Sequence, residues 1–415
     1  VKLLRFAQKL LLKLGDRQIE WIYVGLPQIS TMGDEGFLER RLEDRRAQDA
    51  LRRLRLADGK VDFCSNDYLG IVTNGLLGRG TCQSGGGGQS TGGGGSLAHG
   101  SGGSRLLAGN YPLIEETEKE IAAFHQADAG LLFNSGYDAN LGVLSCIPGR
   151  GDTIIYDSLS HASIRDGIRL SFAQSFYFAH NDCADLERRL QAARGGGESR
   201  AGGNLFVVTE SVFSMDGDLA PLETIVSLCR RYNAYLILDE AHATGVIGVA
   251  GEGLAQLRGL HRECFARIHT FGKAVGCHGA IVLGSDRLRQ FLINFCRPLI
   301  YTTALPPSSV GAIADAYRIF PKMNDERVRL QQLIVRWQAT AIAYERWNSH
   351  TPIQALIVPG NSAVRALAER LQHAGLDVRP ILYPSVPKGG ERLRVVIHAF
   401  NTPEEIDRLT GLLQF

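Results

Sequence analysis

The chain has 415 residues, 44% of them apolar and 21% charged, a composition that excludes a disordered or fibrous chain and allows roughly three quarters of the unfolded surface to be buried. With 45 basic and 43 acidic side chains the net charge is only +2, which supplies no field that would select nucleic acid. Eight cysteines stand singly with no Cys-x-x-Cys pair, so the usual zinc and redox spacings are absent; reduced thiols, no metal centre and a cytoplasmic location are expected.

In chain order, Lys2, Arg5, Lys9 and Lys13 interleave with Leu3, Leu4, Leu10, Leu11, Leu12 and Leu14, a basic amphipathic pattern. A helix packed on its own protein or on a dimer partner is favoured over one lying on a membrane. Residues 36–56 read as a charged helix with too few apolar positions for a deep core, so a surface location is expected. Residues 85–103 form a glycine and serine tract of linker character. Short β-rich runs then alternate with helical patterns at residues 131–133, 153–156, 205–208, 235–238 and 280–283, which predicts an α/β fold with a mostly parallel, doubly covered sheet. The glycine-rich residues 195–203 read as a solvent loop between a helix and a strand. Beyond Ile300 come longer helices and then strands near 351–358, 378–382 and 393–398, a separate α+β lobe. The division expected is an N-terminal helical segment at 1–59, a large domain at 60–305 and a C-terminal domain at 306–415.

In open α/β sheets ligands gather beyond the carboxyl ends of the strands. Asp239 follows the apolar run 235–238 there, with Glu240, Ala241 and His242 after it. That tetrad alone also fits a magnesium box or a helix cap. A nucleotide site requires a phosphate loop, and Gly272-Lys273 is followed by Ala274, with Arg267 where the first glycine belongs. Lys273 is instead hemmed by glycines and small apolar residues between two strands. A buried ammonium there is costly unless its pKa falls or it becomes covalently bound, which suits Schiff-base chemistry. Ser135, Gly136 and Tyr137 end a strand and open a helix, presenting free N–H groups suited to an anion. On the last strands Arg392 and Arg394 face the same side, and either is able to serve as a carboxylate fork.

Four motifs in consistent order, Asn66-Asp67-Tyr68-Leu69-Gly70, Ser211-Val212-Phe213-Ser214-Met215-Asp216-Gly217, Asp239-Glu240-Ala241-His242 and Thr270-Phe271-Gly272-Lys273, resemble those of the α-oxoamine synthases. These are fold-type I pyridoxal phosphate enzymes that condense an amino acid with an acyl thioester and release carbon dioxide; the resemblance covers roughly residues 60 to 400. It implies pyridoxal phosphate as a Schiff base on Lys273, Asp239 behind the pyridinium nitrogen, and His161 stacked on the ring. His242 and Ser214 are implied near the phenolic oxygen. The phosphate is expected on Ser135, Gly136, Tyr137 and Thr270, with Thr303 reaching the phosphate of a neighbouring subunit in a homodimer with shared sites. Arg394, preferred to Arg392, and Asn66 are expected to hold the amino-acid carboxylate. The segments around 64–70, 102–110, 351–354 and 378–387 are most similar to the branch that joins L-alanine to a pimeloyl thioester, on coenzyme A or a carrier protein, for biotin synthesis. A sister synthase using glycine or serine, and a catalytically silent subunit, are the competing readings; the presence of Lys273, Asp239 and His161 weighs against the second.

Overall fold

The computed structural model describes residues 35–54, 56, 59–77, 97–195 and 203–414. The basic amphipathic stretch at 1–14, most of the 85–103 tract and the centre of the 195–203 loop lie outside them. The helix expected over 36–56 spans Gly36–Ala47, with no buried residue. It stops early because Asp49 takes the left-handed conformation (φ 50°) while Ala50 N–H returns to Arg45 O (2.8 Å) and Asp49 N–H to Arg46 O (3.0 Å). That closure caps the last carbonyls and turns the chain out of the helix.

The strands are β1 (Val61–Asp62), β2 (Ala129–Phe133), β3 (Thr153–Asp157), β4 (Gln174–Phe178), β5 (Leu205–Glu210), β6 (Ala234–Asp239), β7 (Cys264–Thr270), β8 (Ala280–Gly284), β9 (Glu345–Arg346), β10 (Ile353–Ile357), β11 (Leu376–Asp377), β12 (Arg379–Ile381) and β13 (Arg392–Val396). The large sheet has the order β2-β8-β7-β6-β5-β3-β4, parallel except that β8 runs against both its neighbours. Its strands bury alternate residues on opposite faces. Leu132, Ile155, Val207, Leu236 and Ile281 join one core, whereas Leu131, Ile154, Val208, Ile237 and Val282 join another. Both faces are therefore covered, which is why these strands read as continuous apolar runs.

A four-stranded antiparallel sheet, β12-β13-β10-β9, lies in the C-terminal part. The short strand β1 pairs in parallel with β11, and Val396 N–H donates to Phe63 O (2.9 Å), so the chain just ahead of Asn66 is stitched to this sheet. The last helix, Pro403–Gly411, starts with a capping box between Thr402 and Glu405. Among the described residues no helix is long and apolar enough to cross a membrane. The seven described cysteines are free.

Candidate active site

The site forms where β5, β6 and β7 end. The register sets Glu210, last in β5, directly beside Asp239, last in β6. Two buried carboxyls side by side cannot both ionise cheaply. Burial and then Asp239 drive Glu210 well above the ordinary carboxylate range; its Oε1 accepts His161 N–H (2.7 Å). Asp239 accepts Asn140 Nδ2 (2.7 Å) and Ala241 N–H (2.8 Å). Asn140 also donates to Ser163 Oγ (3.1 Å), which in turn meets His161 Nδ1 (2.8 Å). His161 is exposed in area, yet the protein around its ring lowers its pKa, with Asp239 opposing.

Lys273 follows β7 in a tight turn, Gly276 N–H donating back to Lys273 O (2.8 Å). Its Nζ donates to Thr270 Oγ1 (3.2 Å). Burial lowers the ammonium pKa, against the pull of Asp239 and Glu210 and with help from Arg394; the neutral amine is thereby more accessible near neutral pH. His242 is buried, and burial first, then Lys273, Arg394 and His161, hold it well below the ordinary histidine value. Its Nδ1 lies 2.6 Å from Tyr68 Oη, which also donates to Asn66 Oδ1 (3.1 Å). Asn66 Oδ1 further accepts Arg394 Nη2 (3.0 Å), while Arg394 Nε donates to Ser214 O (2.7 Å). Arg392 is taken up by a buried ion pair with Asp216. Of the two arginines that share a face, Arg394 is therefore the one whose charge meets no carboxylate among the described residues.

The helix Gly136–Cys146 starts behind Ser135, whose Oγ accepts Asp138 N–H (3.0 Å) and donates to Asp138 Oδ2 (2.8 Å). The Ser135 hydroxyl is thus committed to the cap, and the N–H groups of Gly136 and Tyr137 are left as the open donors. A Cβ on Gly136 would stand 2.4 Å from Thr270 Cγ2, so glycine is needed for that approach. The Tyr137 hydroxyl turns aside to Asp166. Thr303 stands at the margin, exposed, its carbonyl accepting Asn134 Nδ2 (2.8 Å). Lys273, Asp239, His161, His242, Ser214, Asn66 and Arg394 converge, with Gly136 and Thr270 beside them; Ser135 and Tyr137 contribute backbone, and Thr303 bonds to none of the others.

Glu210, Asn140 and Tyr68 carry the second layer and were not singled out from the sequence. Asn140 is one helical turn beyond Gly136, a spacing that puts both on one face, and Glu210 ends a strand neighbouring that of Asp239. Those two positions were the available clues.

These donors fit pyridoxal phosphate: a half-buried amine whose one hydrogen bond among the described residues is to a hydroxyl, a carboxylate held at a strand end, and a helix N-terminus with free N–H groups for phosphate. Residues 58–413 match the aminotransferase class I and II family. The chain is 42% identical over 391 residues to the 8-amino-7-oxononanoate synthase of Emericella nidulans, covering 89% of this chain and 92% of that one. It is 41% identical over 350 residues to a putative 8-amino-7-oxononanoate synthase of Geobacillus kaustophilus, covering 84% and 86%. Among solved structures, a serine palmitoyltransferase variant from S. paucimobilis with bound PLP-myriocin aldimine superposes with a TM-score of 0.77 at 27% identity, over 91% of this chain and 96% of that one. The chain belongs to the aminotransferase class I and II family and, within it, to the α-oxoamine synthases.

Proposed function

We propose that the protein is a pyridoxal phosphate-dependent acyltransferase that condenses L-alanine with a pimeloyl thioester, giving 8-amino-7-oxononanoate, carbon dioxide and free thiol, in biotin biosynthesis. The observation that carries the reading is the half-buried Lys273 amine, hydrogen-bonded to Thr270 and within electrostatic reach of both Asp239 and Arg394.

Bound on Lys273, the cofactor supplies an electron-accepting ring that makes the amino-acid Cα acidic and later permits loss of its carboxylate. Arg394, whose charge is not taken up by a carboxylate among the described residues, and Asn66 grip that carboxylate. Lys273, displaced by the amino group, takes the Cα proton, a role its lowered pKa favours. The new bond then forms between Cα and the thioester carbonyl carbon as thiol departs. Carbon dioxide leaves next, and Lys273, His161 or His242 returns a proton to Cα. Asn140 and Ala241 fix the Asp239 carboxylate, which would pair with the pyridine nitrogen, while Gly136, Tyr137 and Thr270 would hold the phosphate. The Ser214 hydroxyl and the His242 ring stand ready for the phenolic oxygen.

A homodimer with Thr303 serving the neighbouring subunit's phosphate is part of the proposal, in keeping with the exposed position of that residue. So are the three-part division at residues 59 and 305 and a cytoplasmic location, the latter consistent with the free described thiols. A glycine- or serine-using synthase is the second reading, favoured by the structural likeness to serine palmitoyltransferase. Thiol release measured for alanine, glycine and serine, each with pimeloyl, acetyl, succinyl and palmitoyl thioesters, decides between them: alanine with pimeloyl is expected to be fastest. Borohydride reduction of the holoenzyme should leave the pyridoxyl mass on the Lys273 peptide. Lys273→Ala should abolish that mass and cut turnover by roughly 10³-fold or more; an adduct on another lysine would refute the assignment.

A further inference from the structure

The sheet face that carries Arg394 bears a third arginine. Residues directly opposite in an antiparallel pair share a face, with Cβ atoms about 5 Å apart. The register Arg379↔Arg394 and Ile381↔Arg392 therefore sets Arg379 on the side of Arg394 and Arg392. The three are committed differently. Arg392 is closed by Asp216 in a buried pair, and Arg394 is aimed by Ser214 and Asn66 at the amino-acid carboxylate. Arg379 makes one ion pair, Nη2 to Asp377 Oδ2 at 2.9 Å, and its side chain keeps 32% of its surface exposed. The Cys64 thiol donates to the same Asp377 oxygen (3.3 Å), which holds Asp377, and with it Arg379, against the segment that continues into Asn66. No other carboxylate or carbonyl among the described residues accepts from this guanidinium.

A guanidinium has two usable edges. Asp377 takes Nη2 and, with the Cys64 thiol beside it, orients the group; the remaining donors, on a side chain 32% exposed, are available to an anion. Resting on the alanine and pimeloyl thioester reading above, we infer that Arg379 receives the far carboxylate of the acyl chain and sets selectivity for dicarboxylic over simple fatty acyl donors. With the acyl carbonyl carbon bonding to Cα and the amino-acid carboxylate on Arg394, an acyl chain extending along the sheet face crosses to the adjacent strand, where Arg379 stands. Plain acyl chains leave the guanidinium unmatched, and the cost falls on them. A charge-assisted pair in this half-exposed position amounts to roughly 10- to 100-fold in discrimination.

The test compares kcat/KM for pimeloyl and heptanoyl donors, each as coenzyme A and carrier-protein thioester, at saturating L-alanine, in cofactor-loaded wild type, Arg379→Gln and Arg379→Lys. The two donors match in length and differ in the far carboxylate. Wild type is expected to prefer pimeloyl, and Arg379→Gln to erase roughly 10- to 100-fold of that preference by slowing pimeloyl alone, with KM for alanine unmoved. Arg379→Lys should retain part of the preference. Because the readout is a ratio, partial unfolding of a variant does not imitate it. A ratio unchanged in Arg379→Gln, or both donors slowed alike, overturns the assignment to Arg379 while leaving the reaction intact. A wild type that turns over neither donor with alanine overturns the reaction and this inference together.

Discussion

The floor of the site and the arginine face opposite it are built on contrary plans. At the floor, Asp239 and Glu210 sit buried with their oxygens already matched to Asn140, Ala241 and His161, so little is left to rearrange when the cofactor binds. On the facing sheet, Arg394 and Arg379 are each tied by one part of the guanidinium and keep donors in reserve. Preorganised charge favours electrostatic stabilisation of developing electron density, whereas spare donors on long side chains favour recognition of ligand carboxylates. On the proposed function, chemistry is fixed on one wall and substrate identity on the other.

The strongest way to break this contrast is Asp239→Asn. It preserves shape but removes the carboxylate, and kcat is expected to fall by roughly 10²- to 10³-fold with KM for alanine little altered; a loss confined to KM would place Asp239 with the recognition wall instead. Arg394→Lys should do the reverse, raising KM for alanine by roughly 10-fold or more as the fork to Asn66 and Ser214 is lost, with a smaller change in kcat by steady-state assay. The third test is gentler and concerns the loop that links the two walls. His180 lies between Asp157 Oδ1 (2.9 Å) and Asp218 Oδ2 (2.8 Å), the latter ending the loop whose Ser214 carbonyl holds Arg394. Burial alone would lower its pKa, yet the two carboxylates raise it from 6.5 to about 9. The folded value exceeds the unfolded one, so this contribution to stability is complete below pH 6.5 and disappears as pH rises through about 9. Over that window Tm should drop further for wild type than for His180→Asn, by differential scanning fluorimetry; parallel curves would contradict it.

Much of the floor was readable in one dimension. Apolar runs marked the central strands because both faces are buried, and the residues just past them are where an α/β sheet places ligands, so Asp239, His242 and Lys273 stood out. The strand β4 did not, although Phe176, Tyr177 and Phe178 form a short aromatic run, since four of its five residues are exposed. Neither did the raised pKa of Glu210, which depends on which strand lies next to β6. The arginine wall was harder still. Arg392 and Arg394 alternate in sequence alike, and only Asp216, brought from the loop after β5, separates their tasks. Gly217, at the end of the same loop, has φ 75° and would place a Cβ 2.1 Å from Ile353 O; it permits that loop to press on β10, a contact between residues far apart in the chain. The pairing of Arg379 with Arg394 arises in the same way, from strand order and not from spacing.

The two-residue ladder between β1 and β11 has a mechanical corollary. It fastens the chain entering Asn66 to the strands that bear Arg394 and Arg379, so the spacing of these three polar groups is set by paired backbone as well as by their own side-chain bonds.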